Sequence, residues 1–284
     1  MNDPRSPKSD TPKSDLPKSE LSIVQLLPNL MTLAAICAGL TAIRYGIEGN
    51  FERAVRFILI AGVLDGLDGR VARMLKSESA IGAELDSLAD FVNFGVAPVL
   101  IIYFWGLQDM RNEAWIAILI FAVCCVTRLA RFNVVSRAAV DEPKPDFFTG
   151  VPAPAGAVLV MLPMYLAFVF DWTPNPGIED LSISAWVVVV GLLMVSRIPT
   201  FSLKSTTIRR ERVRYFLIAF VGFIALLLTY TWVTLAMVSL AYLASIPISR
   251  RKGRAVQARF QAALEAEDRA EDQPHDPTRH QDDI

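Results

Sequence analysis

The stretch that decides the fold runs from residue 65 to residue 90 and reads DGLDGRVARMLKSESAIGAELDSLAD. Four aspartates, Asp65, Asp68, Asp86 and Asp90, lie in it beside strongly apolar segments. A charged side chain inside a membrane span is costly, so such residues mark candidate functional sites. On a helix, Asp65 and Asp68 share one face, and Asp86 and Asp90 share another. If two neighbouring helices turn these faces together, four carboxylates converge on one site.

The composition of the whole chain indicates a membrane protein. The 284 residues are 53% hydrophobic, and the mean hydropathy is +0.38, above the range expected of a soluble domain. Several apolar runs reach about the 20 residues that a helix needs to cross a bilayer. A large soluble helical protein is the alternative, but nearly every segment is apolar on all faces rather than on one. The sequence therefore predicts an all-α, polytopic integral membrane helical bundle.

About eight apolar segments are predicted to cross the membrane. The first six cover about residues 23–45, 54–74, 80–105, 115–135, 150–170 and 183–197. The final run, residues 215–248, is too long for one crossing and is split at TYTWVT into two. The membrane domain is thus expected at residues 22–249. The PKSD-repeat arm at residues 1–21 and the polar, acidic tail at residues 250–284 have too few apolar residues to fold and are predicted to be disordered.

The charges between these segments predict the orientation. Lysine and arginine are concentrated in the 2–3, 4–5 and 6–7 connections and in RRKGR after the last segment. The other connections are acidic or uncharged apart from Arg53 and Arg111. Because basic loops stay in the cytoplasm, both termini and the aspartates are expected on the cytoplasmic side of the cell inner membrane. The net charge of −1 gives no reason to expect a nucleic-acid partner.

The aspartates predict metal chemistry. Carboxylate oxygens suit Mg²⁺ or Mn²⁺, and a pair of such ions can clamp both oxygens of a displacement at phosphorus. Arg73 is a candidate phosphate ligand, while Arg128 and Arg131 are candidate contacts for the acceptor or a phosphate. Gly69 and Gly82 leave room for a bulky substrate or a neighbouring helix. The alternative is that the aspartates only pair with arginines and lock helices together.

The same stretch resembles a known family. Eight positions at fixed spacing match the signature of the CDP-alcohol phosphotransferases: Asp65-x2-Asp68-Gly69-x2-Ala72-Arg73-x8-Gly82-x3-Asp86-x3-Asp90. Within that family, FVNFGVAP, TRLARFN and FFTGVPAPAG look like stretches of the membrane-embedded phosphatidylserine synthases. PNLMT at residues 28–32 is similar to a PNxxT motif of the first span. The resemblance covers roughly residues 25–250.

The resemblance implies the CDP-alcohol phosphotransferase fold and a role for each matching residue. Two divalent metal ions, Mg²⁺ or Mn²⁺, would be ligated by Asp65, Asp68, Asp86 and Asp90. Asp90 would also be the catalytic base. The residues implied to bind CDP-diacylglycerol are Asp68, Gly69, Ala72, Arg73 and Gly82, with Asn29 and Thr32 near the cytidine. The implied reaction is attack of the L-serine hydroxyl on CDP-diacylglycerol, giving phosphatidylserine and CMP, in a homodimer embedded in membrane lipid.

Three other functions stay open on the sequence. A family member that uses glycerol 3-phosphate or an inositol phosphate needs cationic ligands for the extra phosphate, which Arg128 and Arg131 could supply. A divalent-cation transporter would bind its ion at the aspartates, although transporter sites usually lie near the bilayer midplane. A non-catalytic membrane scaffold would not need glycines and an arginine at fixed offsets.

Overall fold

The computed structural model describes residues 23–77, 79–108, 111–138, 148–172, 178–196, 199–200 and 213–247. The predicted N-terminal arm, the predicted acidic tail and the basic connection at residues 201–212 lie outside the described residues. Within the described part, the chain is a bundle of α-helices, as the sequence predicts. The short strands β1 (Phe148–Thr149) and β2 (Pro199–Thr200) pair antiparallel and are the exception.

Each of the eight predicted segments forms one helix or two consecutive helices. The helices are α1 (Ile23–Ile47), α2 (Phe51–Leu75), α3 (Ala80–Asp90), α4 (Ala97–Gly106), α5 (Arg111–Ala138), α6 (Ala153–Val160), α7 (Leu162–Phe170), α8 (Ile178–Val195), α9 (Val213–Thr229) and α10 (Thr231–Pro247). A π-helical segment, Phe91–Val96, joins α3 to α4. The helix of the last apolar run is interrupted at Tyr230, within the stretch where the sequence predicts the division.

The helices make this a multi-pass membrane protein. Four stretches among the described residues are long and apolar enough to cross a bilayer: Leu26–Ile47, Ala80–Gly106, Asn112–Val135 and Ala153–Phe170. Two shorter apolar helices, Leu217–Thr229 and Thr231–Pro247, follow near the end of the chain. α2 has 25 residues, enough for a crossing by length, but its second half carries the charged motif.

The core lies where α4, α5, α6 and α8 meet. Fully buried side chains from these helices include Ile101, Ile102, Phe121, Leu159 and Val187. α5 packs along α8, and α1 packs along α2. At the first of these contacts, a Cβ added to Gly191 would lie 3.2 Å from the Cα of Phe121. Small residues allow this close approach, which is how helices gain packing contacts where lipid removes the hydrophobic driving force.

The fifth predicted segment is divided between α6 and α7, which the sequence did not predict. Pro163 has no N–H, so a regular helix could not satisfy the carbonyl of Leu159, four residues earlier. Two other groups donate to that carbonyl: the N–H of Met161 at the end of α6, and Trp186 of α8, whose Nε1–H donates at 2.9 Å. The interruption therefore ties α6 to α8 through one side-chain hydrogen bond.

The π-helical segment directly follows the last aspartate of the motif, and it too was not predicted. Pro98 again removes a backbone donor. The N–H of Ala97 reaches back five residues to the carbonyl of Val92, the hydrogen bond that defines a π-turn. Such turns insert one residue into a helix, so α4 is rotated relative to α3.

Asn93 places this segment against α1. Its side chain is fully buried, and neither of its polar atoms has a hydrogen-bond partner. A Cβ added to Gly39 of α1 would lie only 2.1 Å from Asn93 Oδ1. A larger residue at position 39 would force the Asn93 side chain to move, so Gly39 lets α1 approach the segment this closely. The contact holds the end of α3 beside α1.

Candidate active site

α2 carries the first half of the aspartate motif and ends with a backbone cap. Lys76 follows the helix in the left-handed conformation, with φ of 50°. The N–H groups of Lys76 and Ser77 donate to the carbonyls of Arg73 and Ala72, at 3.3 and 3.0 Å. These bonds satisfy carbonyls that a helix end would leave free. The chain turns at this cap and enters α3.

α3 starts with a side-chain cap close to α1. Ser79 Oγ accepts the N–H of Gly82 at 3.0 Å, the expected N-cap bond. A Cβ added to Gly82 would lie 2.9 Å from Asn29 Oδ1 and 3.1 Å from Ser79 Oγ. Gly82 thus allows the first turn of α3 to lie against α1.

A cavity of about 240 Å³ lies between the three helices. Every residue that the resemblance assigns to CDP-diacylglycerol lines it: Asn29, Thr32, Asp68, Gly69, Ala72, Arg73 and Gly82. Asp86 of the predicted metal set lines it as well. The other lining residues are Pro28, Ser77, Ser79 and Ala83. Residues up to 58 positions apart in the chain are therefore brought to one space.

Asp68 is the buried carboxylate of this cavity, with 3% of its surface exposed. Thr32 Oγ1 donates to Asp68 Oδ2 at 2.5 Å, and the N–H of Gly69 donates to Oδ1 at 2.5 Å. Hydrogen bonds to an ionised acceptor are short and strong. Thr32 Oγ1 also lies 3.1 Å from the carbonyl of Pro28, but one hydroxyl has one proton, and the shorter contact is to Asp68. The two donors fix the direction of this carboxylate.

All four aspartates are near enough for their charges to interact. Asp65 interacts with the other three, and Asp90 interacts with Asp86 and Asp68. The carboxyl groups of Asp65 and Asp90 are within hydrogen-bonding reach of each other. Asp65 Oδ1 is nevertheless buried without a partner. Like charges held this close, partly out of water, can all stay ionised only beside a compensating positive charge.

Arginine does not supply that compensation by direct pairing. The ion pairs within the described part of the chain, Arg44–Glu48 at 2.8 Å and Arg56–Glu52 at 3.5 Å, include none of the four aspartates. The interpretation that the aspartates only lock helices through arginine pairs therefore finds no support there. Arg128 is the cation whose charge acts on Asp90.

The donor set fits a divalent cation. No three histidine, cysteine, aspartate or glutamate side chains of the described residues already form a ready metal-binding group. The aspartates nevertheless offer hard oxygen ligands in one place. Asp65 Oδ1 is a buried acceptor that has no hydrogen-bond donor among the described residues. Carboxylate oxygens without nitrogen or sulfur ligands are typical of Mg²⁺ and Mn²⁺ sites.

The two arginines predicted on α5 have different surroundings. Arg128 lies near enough to Asp90 for their charges to interact. Arg131 instead donates from one guanidinium nitrogen to the carbonyl of Val195 at 3.0 Å. That carbonyl belongs to the last residue of α8, where helix carbonyls lack partners in the helix. The structure thus brings Arg128 to the aspartates and engages Arg131 with the end of α8.

Four hydroxyl and amide groups near the site were not predicted from the sequence. Ser77 Oγ is buried, lacks a partner and lines the cavity. Asn133 Nδ2 on α5 donates to Ser87 Oγ on α3 at 2.8 Å, one residue after Asp86. The N-cap preference for serine could have identified Ser79. No sequence signal singles out Ser77 or the Asn133–Ser87 contact.

The models of two known protein families together match most of the sequence. The model of the family described as CDP-alcohol phosphatidyltransferase matches residues 25–196. The model described as CDP-alcohol phosphatidyltransferase 2 matches residues 212–247. The first match contains the whole aspartate motif and the cavity. The second contains α9 and α10.

Several known proteins are similar over much of their length, and each is named CDP-diacylglycerol–serine O-phosphatidyltransferase. The Mycobacterium leprae protein is 38% identical over 245 residues, which are 84% of this chain and 79% of the relative. The Mycobacterium tuberculosis H37Rv protein is 37% identical over 237 residues, 81% of this chain and 80% of the relative. The Helicobacter pylori 26695 protein is 39% identical over 173 residues, 61% of this chain and 70% of the relative.

Proposed function

Because the chain belongs to the CDP-alcohol phosphatidyltransferase family, we propose that it transfers the phosphatidyl group of CDP-diacylglycerol to L-serine. The serine hydroxyl oxygen would form a bond to the lipid-linked phosphorus, and the bond from that phosphorus to the CMP oxygen would break. The products are phosphatidylserine and CMP. Relatives named for this reaction, 37–39% identical to the chain, support serine as the acceptor.

The cavity between α1, α2 and α3 is the observation that carries this proposal. It has Asp68 and Asp86 among its lining residues and the exposed Arg73 guanidinium as a candidate diphosphate ligand. Gly69 and Gly82 add no side chain to it, so space remains for a nucleotide. Asn29 and Thr32 supply polar groups for the cytidine end.

The family is generally dependent on divalent metals. Asp65, Asp68, Asp86 and Asp90 would hold two divalent ions, Mg²⁺ or Mn²⁺. When bound, such ions neutralise the charge of a diphosphate and make its phosphorus more electrophilic. Thr32 and the Gly69 N–H would keep Asp68 turned toward the ligand, because both already donate to its carboxylate.

Asp90 would act as the general base. It would accept the proton of the serine hydroxyl as the oxygen attacks phosphorus. Its surroundings support this role in two respects: Asp65 lies within hydrogen-bonding reach, and the positive charge of Arg128 acts on it. Arg128 also gives the acceptor side of the site a cation that can attract an anionic substrate.

We also propose the orientation and the assembly. The lysine- and arginine-rich connections support a cytoplasmic location for the termini and the aspartates, in the inner membrane. A site at that surface lets the acyl chains remain in lipid while serine and CMP exchange with water. The family resemblance supports a homodimer.

Release of CMP by the purified full-length protein in detergent tests this function. The protein would be given CDP-diacylglycerol, Mn²⁺ or Mg²⁺, and one acceptor at a time: L-serine, glycerol 3-phosphate or an inositol phosphate. CMP is expected with L-serine and not with the other two, and EDTA should abolish it. Release with glycerol 3-phosphate but not with L-serine would replace the acceptor while leaving the family reaction intact.

A further inference from the structure

Arg128 of α5 lies near groups of two other helices, α3 and α10. The proposed reaction gives its guanidinium no specific ligand. Its charge acts on Asp90 of α3, on Cys125 of α5 and on Tyr242 of α10. Its guanidinium carbon lies 5.6 Å from the centroid of the Phe132 ring, a cation–π contact that orients the side chain. None of the ion pairs within the described part of the chain involves Arg128.

Tyr242, on the last described helix, is near enough for the charge of Arg128 to act on its hydroxyl. Its ring packs against the hydrophobic core, while its hydroxyl is buried and has no hydrogen-bond partner among the described residues. Arg128 is the charged group that acts on this hydroxyl. A buried polar group without a partner is costly, so it calls for a ligand or another explanation. The hydroxyl of Tyr165 is also buried without a partner, but no charged group of the described residues acts on it.

We propose that Tyr242 and Arg128 together bind the anionic group of the acceptor, the α-carboxylate of L-serine, beside Asp90. This inference rests on the proposed function. A phenol O–H and a guanidinium N–H are both donors, and a carboxylate has two oxygens that can accept from both at once. In serine the carboxylate and the hydroxyl are on neighbouring carbons. A carboxylate held by this pair therefore leaves the hydroxyl within reach of Asp90.

Because Tyr242 belongs to α10, this subsite would make α10 one of the helices that select the acceptor. The nucleotide cavity is lined by residues of α1, α2, α3 and the turn before α3, whereas Tyr242 belongs to the region matched by the second family model. An acceptor without an anionic group would leave both the Tyr242 hydroxyl and the Arg128 guanidinium unsatisfied. Such unpaired donors discriminate strongly against a ligand that lacks the matching group.

Tyr242→Phe tests the subsite, because it removes the hydroxyl and keeps the ring. CMP release by the full-length protein in detergent would be measured against L-serine concentration, with CDP-diacylglycerol saturating. The KM for L-serine is expected to rise about tenfold, with kcat and the KM for CDP-diacylglycerol changed less than about twofold. Tyr165→Phe is the matched control, since it also removes a buried unpartnered hydroxyl. It should leave the KM for L-serine unchanged.

L-serinamide, which keeps the hydroxyl and lacks the carboxylate, separates recognition from a structural effect. Wild-type protein should prefer L-serine, and Tyr242→Phe should reduce that preference about tenfold. An unchanged KM for L-serine, an equal loss with both acceptors, or a selective rise in the KM for CDP-diacylglycerol would overturn the subsite.

A phosphate could occupy the same donors, so glycerol 3-phosphate is the second arm. If wild-type protein uses glycerol 3-phosphate and not L-serine, the proposed acceptor is wrong. The KM of Tyr242→Phe is then measured for glycerol 3-phosphate. A tenfold rise in that KM would keep an anion subsite at Tyr242 and Arg128 but assign it to phosphate. An unchanged KM would reject the subsite together with the serine assignment.

Discussion

Asp90 is the aspartate whose surroundings differ most from those of Asp68. Asp68 accepts two short hydrogen bonds, which fix it as an acceptor. Asp90 has Asp65 within hydrogen-bonding reach and Arg128 as a nearby positive charge. A carboxylate that is already bonded by two protein donors is less free to take a substrate proton. This difference supports metal ligation as the main role of Asp68 and proton transfer as the added role of Asp90.

Asp90→Asn is expected to reduce CMP release at least about 100-fold, because the amide keeps the shape but cannot accept the serine proton. The variant should elute from a sizing column in detergent as the wild type does. Asp171→Asn is the control. Asp171 is exposed and has φ of 51°, a conformation that asparagine tolerates, so turnover should be unchanged. Near-normal turnover of Asp90→Asn would remove the base assignment.

Thr32→Val removes the hydroxyl that bonds Asp68 at 2.5 Å and keeps the β-branched shape. A hydrogen bond to a charged group contributes about 1.5–3 kcal/mol, so kcat/KM for CDP-diacylglycerol should fall about 10- to 100-fold. Thr41→Val is the control on the same helix, because Thr41 Oγ1 donates only to the carbonyl of Cys37 at 2.7 Å. Equal effects of the two substitutions would indicate a general weakening of α1 instead.

At this scale the family resemblance, which rests on the fixed spacing of the motif, implied seven of the residues that line the cavity as ligands of CDP-diacylglycerol. Positions 68, 69, 72 and 73 share one face of a helix, and the motif continues to position 82 on the next helix. The spacing carries that information, because helix geometry converts it into a face. It does not encode which side chains from distant segments complete the site. Ser77 and Tyr242 are visible only once the helices are packed.

At the scale of the elements, the break between α6 and α7 gives a test of packing. Trp186→Phe removes the side-chain donor to the carbonyl of Leu159, which keeps the N–H of Met161, and the loss of one hydrogen bond costs about 0.5–1.5 kcal/mol. The protein should unfold at a lower temperature in detergent. Pro163→Ala supplies a backbone N–H to that carbonyl, so Trp186→Phe should be less destabilising in the Pro163→Ala background. Equal losses in both backgrounds would show that the lost indole packing, not the hydrogen bond, sets the cost.

The elements were predictable because each is a long apolar run bounded by polar residues. Within those runs, neither the break in residues 150–170 nor the π-turn after Asp90 was predicted. Pro163 and Pro98 are visible as helix-breaking residues, but their consequence depends on partners elsewhere. One carbonyl accepts a hydrogen bond from Trp186 of α8. The π-turn lies where Asn93 meets Gly39. Both partners come from other helices.

At the scale of the whole molecule, two independent features of the sequence lead to one arrangement. The aspartate motif predicts a site at the adjoining ends of α2 and α3, and the structure has the cavity there. The basic connections predict, from different residues, that the same ends face the cytoplasm. A transferase needs this coincidence, because its lipid substrate and its soluble substrates must meet at the membrane surface. A transporter would need its acidic site nearer the midplane.

Labelling of single cysteines tests that orientation. In a background with Cys37, Cys124 and Cys125 replaced by alanine, Lys76→Cys would mark the α2–α3 turn and Glu48→Cys the opposite α1–α2 turn; both positions are exposed. A maleimide that cannot cross membranes should label Lys76→Cys in inside-out vesicles and Glu48→Cys in cells with a permeabilised outer envelope. Both should react after detergent treatment. Labelling of Lys76→Cys from outside the inner membrane would invert the topology, and would separate the motif from the compartment that holds serine and CMP.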